Sequence, residues 1–205
     1  MYSVLLQFFR INTSIAARLL RTGLILLILF CFTRHRALAV TPAPDGDYPG
    51  ANTAEGDHAL FSLNLAGSDN TAIGYFALDS TTNGHANTGV GREALFSNTS
   101  GIQNTATGAE TLFENQTGSD NTATGATALA INATGSFNTA TGSGALNRNA
   151  SGSYNTASGV GALSNNIDGT NNTAAGANAL FTGQHSSNNT GIGAYALYRN
   201  HFGGN

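Results

Sequence analysis

The segment Asn121-Thr-Ala-Thr-Gly-Ala-Thr-Ala-Leu-Ala-Ile-Asn-Ala-Thr-Gly-Ser-Phe137 decides the fold, because close copies of it fill most of this 205-residue chain. Its opening Asn-Thr pair recurs with Asn at positions 52, 70, 87, 104, 121, 138, 155, 172 and 189. The first interval is 18 residues and the next seven are 17. A fixed short period indicates a solenoid, in which each repeat forms one coil of a stack. Residues 52–205 are therefore expected to form one domain of nine coils.

Three positions of the repeat never vary when Asn is counted as position 1: Thr at position 2, Gly at position 5 and Leu at position 9. The Leu column is expected to fill the core, as the one large apolar residue always present. It comprises Leu60, Leu78, Leu95, Leu112, Leu129, Leu146, Leu163, Leu180 and Leu197. The Gly column is expected where two backbones pass close together, and comprises Gly56, Gly74, Gly91, Gly108, Gly125, Gly142, Gly159, Gly176 and Gly193.

The repeat predicts an all-β parallel β-roll or β-solenoid rather than a helical array. Two glycines in the interior of a helix cost about 1 kcal/mol each, and large apolar residues show no helical period. We expect two short strands per coil, around Asn-Thr-Ala-x-Gly and x-Ala-Leu-x, with a turn at Asn-x-x-Gly. Asn at positions 1 and 12 is expected to form amide ladders, and position 4 to face outward. The extra residue of the first coil predicts a bulge within residues 63–66.

The N-terminus has the features of an export signal. Residues 1–21 carry three Arg, residues 23–32 form a short apolar run, and Ala37-Leu-Ala39 fits a small-x-small cleavage site. We predict a signal peptide over residues 1–39, cut between Ala39 and Val40, which leaves no membrane span. An uncleaved anchor is the alternative, because Arg34 and Arg36 follow the apolar run. Residues 40–51, which hold all three Pro, are expected to be an extended linker.

Composition excludes several classes of function. From Val40 onward the chain carries 3 Arg, no Lys and 11 acids, so its formal charge is 3 − 11 = −8, which argues against a nucleic-acid partner. No Cys remains after the signal, the His residues fall in different columns and the acids do not converge. We therefore expect no catalytic residues, no metal site and no cofactor. Leu, Ile, Val and Phe make up only about 16% of this part, and so thin a core predicts self-association.

The unit Asn70-Thr-Ala-Ile-Gly-Tyr-Phe-Ala-Leu78, with its Asn-x-x-Gly turns, resembles the head repeats of YadA-like trimeric autotransporter adhesins. The likeness spans residues 52–205. It implies a left-handed parallel β-roll, a homotrimer, and adhesion to extracellular matrix, cell-surface or glycan ligands at the outer membrane of a Gram-negative bacterium. Coils in that family are usually shorter than 17 residues. No stalk heptads or anchor strands occur here, so the sequence is expected to be either a fragment or a secreted head.

Two other functions are weighed against a structural or adhesive one. The Thr column suggests an ice-binding solenoid, although the Asn and Ala beside it carry no hydroxyl groups. A polysaccharide-acting solenoid enzyme is the weaker alternative, because no carboxylate cluster is expected on one face. Column 10 is rich in aromatic residues and is expected to be buried between chains or to form an exposed apolar strip. Its rings are Phe61, Phe96, Phe113, Phe181 and Tyr198.

Overall fold

The computed structural model describes residues 50–63 and 67–200. The predicted signal peptide, its cleavage site at Ala39 and Val40, and nearly all of the linker lie outside the described residues. The expected bulge also lies outside them, apart from Leu63. Backbone pairing with the second coil is regular at Ser62, whose N–H donates to the carbonyl of Asp79 at 2.9 Å, and again at Ser68, whose carbonyl accepts the N–H of Ala86 at 3.0 Å. Among the described residues there is no helix able to reach across a lipid bilayer.

Within residues 50–63 and 67–200, nine parallel strands, one per coil, form a single sheet in sequence order. Each strand has three residues and begins at the Thr of position 2. Thr pairs with Thr along the whole sheet, as between Thr122 and Thr139. The strands are β1 (Thr53–Glu55), β2 (Thr71–Ile73), β3 (Thr88–Val90), β4 (Thr105–Thr107), β5 (Thr122–Thr124), β6 (Thr139–Thr141), β7 (Thr156–Ser158), β8 (Thr173–Ala175) and β9 (Thr190–Ile192). The predicted all-β solenoid with a 17-residue coil is confirmed.

The second predicted strand of each coil, around x-Ala-Leu-x, is wrong. The segment is a turn, because the backbone is left-handed at positions 7 and 9, with φ of 55° at Thr127 and 49° at Leu129. The segment still bonds to the next coil. The N–H of Leu129 donates to the carbonyl of Ala145 at 2.9 Å, and that of Ile131 to the carbonyl of Asn147 at 2.8 Å. Coil-to-coil hydrogen bonding is thus kept without extended dihedral angles.

The core holds one Leu and two small residues per coil. Leu78 through Leu180 of the Leu column are at most 1% exposed, and the Ala of positions 3 and 8 packs beside them. In the ninth coil Leu197 is 49% exposed. The small residues therefore bring together consecutive coils of the same chain. Positions 3 and 8 face the interior, and the Gly of position 5 lies where consecutive coils approach closely, since a Cβ on Gly125 would lie 2.7 Å from the carbonyl carbon of Gly142.

Two ladders of Asn side chains run through the stack, as the sequence predicts. At position 1, the Nδ2 and backbone N–H of Asn121 both donate to Oδ1 of Asn104 at 3.1 Å, and Nδ2 also donates to the carbonyl of Gly135 at 2.9 Å. At position 12, Nδ2 of Asn132 donates to Oδ1 of Asn115 at 2.8 Å. Both columns are fully buried in the middle coils. Amide groups thus replace apolar volume in the core and satisfy the buried turn backbone.

Candidate functional site

Charged side chains in the described part of the chain form small, separate clusters. Arg92 lies between two stacked carboxylates, 2.6 Å from Glu93 and in contact with Glu110, and its charge offsets one of their two negative charges. His185 contacts Asp168 of the preceding coil at 2.8 Å, with both side chains about half exposed. No group of three or more potential metal ligands occurs within residues 50–63 and 67–200. Exposed pairs of this kind contribute little to stability.

One flank of the solenoid carries stacked aromatic rings. We call Phe61, Phe96, Phe113, Phe181 and Tyr198 of position 10 the aromatic flank. The rings of Phe96 and Phe113 lie 5.2 Å apart and 8° from parallel, and those of Phe181 and Tyr198 5.2 Å apart and 4° from parallel. Phe61 is 70% exposed. The neighbouring Leu is buried in coils 1 to 8, whereas Phe96, Phe113, Phe181 and Tyr198 are partly exposed. The flank is interrupted by Asp79 in coil 2 and by Ala130, Asn147 and Ser164 in coils 5 to 7.

A second, smaller aromatic pair lies at position 17. Phe137 and Tyr154 stack with centroids 4.9 Å apart and planes 6° from parallel, and they are 50% and 59% exposed. The consensus of the repeat does not show this pair, because position 17 holds Asp, Ala, Gln and Asn in other coils. Lining up positions 17 of successive coils would have revealed it.

A groove of about 330 Å³ runs along positions 11 and 13 of coils 5 to 8. It is lined by Ile131, Arg148, Ala150, Asn165, Ile167 and Gln184. Its lining includes one cation and no carboxylate. A glycosidase needs a pair of carboxylates flanking its bond. The groove therefore does not supply the groups that the polysaccharide-acting alternative requires.

The outer surface of the sheet presents positions 2 and 4 to solvent. In β4 to β7 both positions carry hydroxyl groups, and the residue between them is buried. Over all nine repeats only position 2 is a hydroxyl column, because position 4 also holds Glu55, Ile73 and Val90. Considering positions 2 and 4 together would have shown a hydroxyl surface limited to the middle coils.

No protein-family model, no curated protein and no solved structure matches this chain. Within the described residues, the two outward surfaces that remain as candidates are therefore the aromatic flank and the hydroxyl surface of the sheet.

Proposed function

We propose that the mature chain is a non-enzymatic structural and adhesive repeat module, exported to the surface of a Gram-negative cell or secreted. In this proposal three copies pack around a common axis as left-handed β-rolls, and the assembly binds extracellular matrix, cell-surface or glycan ligands. The resemblance to YadA-like heads supports the number three and the adhesive role. The aromatic flank is the observation that supports contact with another molecule.

The aromatic flank leaves apolar ring surface in contact with solvent, since Phe61 is 70% exposed and the other four rings are partly exposed. Aromatic side chains bury large apolar areas on contact and are enriched in interfaces. The rings of coils 1 to 4 form a nearly continuous strip, in which Phe76 at position 7 lies 5.9 Å from Phe96. A contiguous apolar strip on a regular rod marks an interaction surface. Because every coil has the same geometry, a second copy of the chain can match that strip coil by coil.

Sedimentation velocity on residues 40–205 tests assembly, and a single substitution tests the flank. Phe113→Ser should weaken or abolish the trimer, because Phe113 stacks on Phe96 within the aromatic flank. Phe137→Ser is the matched control, since Phe137 is also a stacked ring, is 50% exposed and lies at position 17, outside the aromatic flank. The control should stay trimeric. A folded monomer of the parent protein, or equal effects of the two substitutions, would contradict the proposed assembly.

Adhesion needs its own measurement. The parent protein should bind surfaces coated with matrix proteins or glycans, and Phe113→Ser should bind less through lost avidity. A stable trimer that binds none of these surfaces would support the proposed assembly and contradict the proposed adhesive role.

A further inference from the structure

Strands β4 to β7 present eight hydroxyl groups on one exposed surface, which we call the hydroxyl face. Each strand shows the burial pattern exposed, buried, exposed, with Ala in the buried place. The register is unbroken, so that hydroxyls at position 2 and at position 4 form two straight rows. The face consists of Thr105, Thr107, Thr122, Thr124, Thr139, Thr141, Thr156 and Ser158.

The two rows form a regular two-dimensional grid. Neighbouring parallel strands lie about 4.8 Å apart, and residues two apart along a strand are separated by about 6.6 Å. These repeats are close to oxygen spacings on the prism face of hexagonal ice. The stack holds the grid rigidly, so that binding a lattice would order few additional side chains.

The fold does not use these hydroxyls. Within the described residues none of the eight makes a side-chain hydrogen bond, whereas the position-16 hydroxyls accept backbone N–H groups of the preceding coil. For example, Oγ of Ser136 accepts the N–H of Ser119 at 3.0 Å, and Oγ of Ser153 that of Ser136 at 3.0 Å. Position 4 forms the same strand with Ile73 or Val90. The hydroxyls of the face are therefore free to bind a molecule outside the chain.

The surroundings of the hydroxyl face indicate an uncharged ligand. Positions 2 to 4 of β4 to β7 carry no charge, and position 6 of the same coils holds Ala109, Ala126, Ser143 and Val160. Each Thr hydroxyl both donates and accepts, which matches water molecules in a lattice. Sugar rings would instead favour aromatic side chains, and the hydroxyl face contains none. We propose that the hydroxyl face binds ice, a function additional to the proposed adhesive one.

Residues 40–205 and two variants test the proposal. Thr124→Lys places a long charged side chain in the centre of the face. Thr134→Lys makes the same change at an exposed position 14 of the same coil, outside both rows. Thermal hysteresis and ice recrystallisation are measured for all three proteins, with melting by circular dichroism to show that each is folded. We expect ice activity in the parent and in Thr134→Lys, and loss of most of that activity in Thr124→Lys.

Three results would overturn the proposal. The first is a folded parent protein with neither hysteresis nor inhibition of recrystallisation. The second is equal ice activity in the two variants. The third is the absence of ice activity together with retention on insoluble cellulose that Thr124→Lys abolishes, which would assign the face to a polysaccharide. Sedimentation of Thr124→Lys keeps the two functions distinguishable, because a variant that remains trimeric but loses ice activity supports a separate face.

Discussion

Gly125 shows why position 5 of the repeat admits only glycine. Its φ is +126°, and a Cβ there would lie 2.7 Å from the carbonyl carbon of Gly142 and 2.8 Å from its oxygen. Gly125→Val should therefore destabilise the protein by about 2 to 5 kcal/mol, through backbone strain and overpacking. Thr124→Val, on the exposed adjoining position, should cost less than about 1 kcal/mol. Urea unfolding measures both, and equal losses would show that the inward and outward positions are wrongly assigned.

Asp79 is a largely buried carboxylate at position 10, where five other coils carry a ring. Its side chain is 14% exposed, and Oδ1 lies 3.6 Å from Nδ1 of His58, too far for a hydrogen bond. Burial raises the pKa of Asp79, and the His58 ring offsets this only in part. Because the folded-state pKa exceeds the unfolded one, the charged group destabilises the fold at neutral pH, and stability recovers as pH falls through the raised pKa.

Asp79→Asn should accordingly raise the melting temperature at neutral pH, and this advantage should shrink on acidification. Melting curves over a pH series measure the difference from the parent. The control is Asp57→Asn, which changes an exposed carboxylate of the first coil and should melt close to the parent. A difference for Asp79→Asn that is independent of pH would contradict a role for its charge.

Each coil depends on its Asn ladder as much as on its Leu. Oδ1 of Asn121 accepts both the N–H and the Nδ2 of Asn138 at 3.0 Å, in addition to the bonds that Asn121 donates. Asn121→Ala should cost about 3 to 5 kcal/mol, because several buried groups lose their partners at once. Asn147→Ala removes one half-buried bond to the carbonyl of Thr127, 2.9 Å long, and should cost about 1 kcal/mol. Urea unfolding measures the free energy of unfolding of both variants, and similar losses for Asn121→Ala and Asn147→Ala would contradict a major role of the ladder in stability.

The sequence predicts the coil length, the strand at position 2, the Leu core and both Asn ladders, because each is a residue type recurring at one position. It does not predict the left-handed backbone at Leu129. Positive φ is expected of Gly or Asn, and a Leu there is locally unfavourable. Only the stack of coils imposes that conformation, through bonds between residues 16 or more apart in sequence. The consensus of the repeat does not predict the hydroxyl face either, because position 4 carries a hydroxyl group only in four adjacent coils.

The whole stack should tolerate the loss of one complete coil but not the loss of a coil plus one residue. Deleting residues 121–137 joins Asp120 to Asn138, which continues the 17-residue period. That variant should fold with lower stability, since units in a solenoid contact only their neighbours. Deleting residues 120–137 also removes Asp120, the residue at position 17, and leaves a 16-residue coil. In the parent protein the N–H of Asp120 donates to the carbonyl of Ile102 at 3.0 Å.

The shorter coil cannot complete its ladder, so the second deletion should melt well below the first, although the two differ by one residue. The first coil already holds 18 residues between Asn52 and Asn70, and Thr53 still pairs in register with Thr71. A turn can therefore accommodate an added residue without breaking the pairing of coils. A missing residue instead leaves backbone N–H and carbonyl groups of the neighbouring coils without hydrogen-bond partners. Far-ultraviolet circular dichroism melts of the two deletions measure this asymmetry. Equal melting temperatures would mean that the coil closes with fewer residues than the register requires.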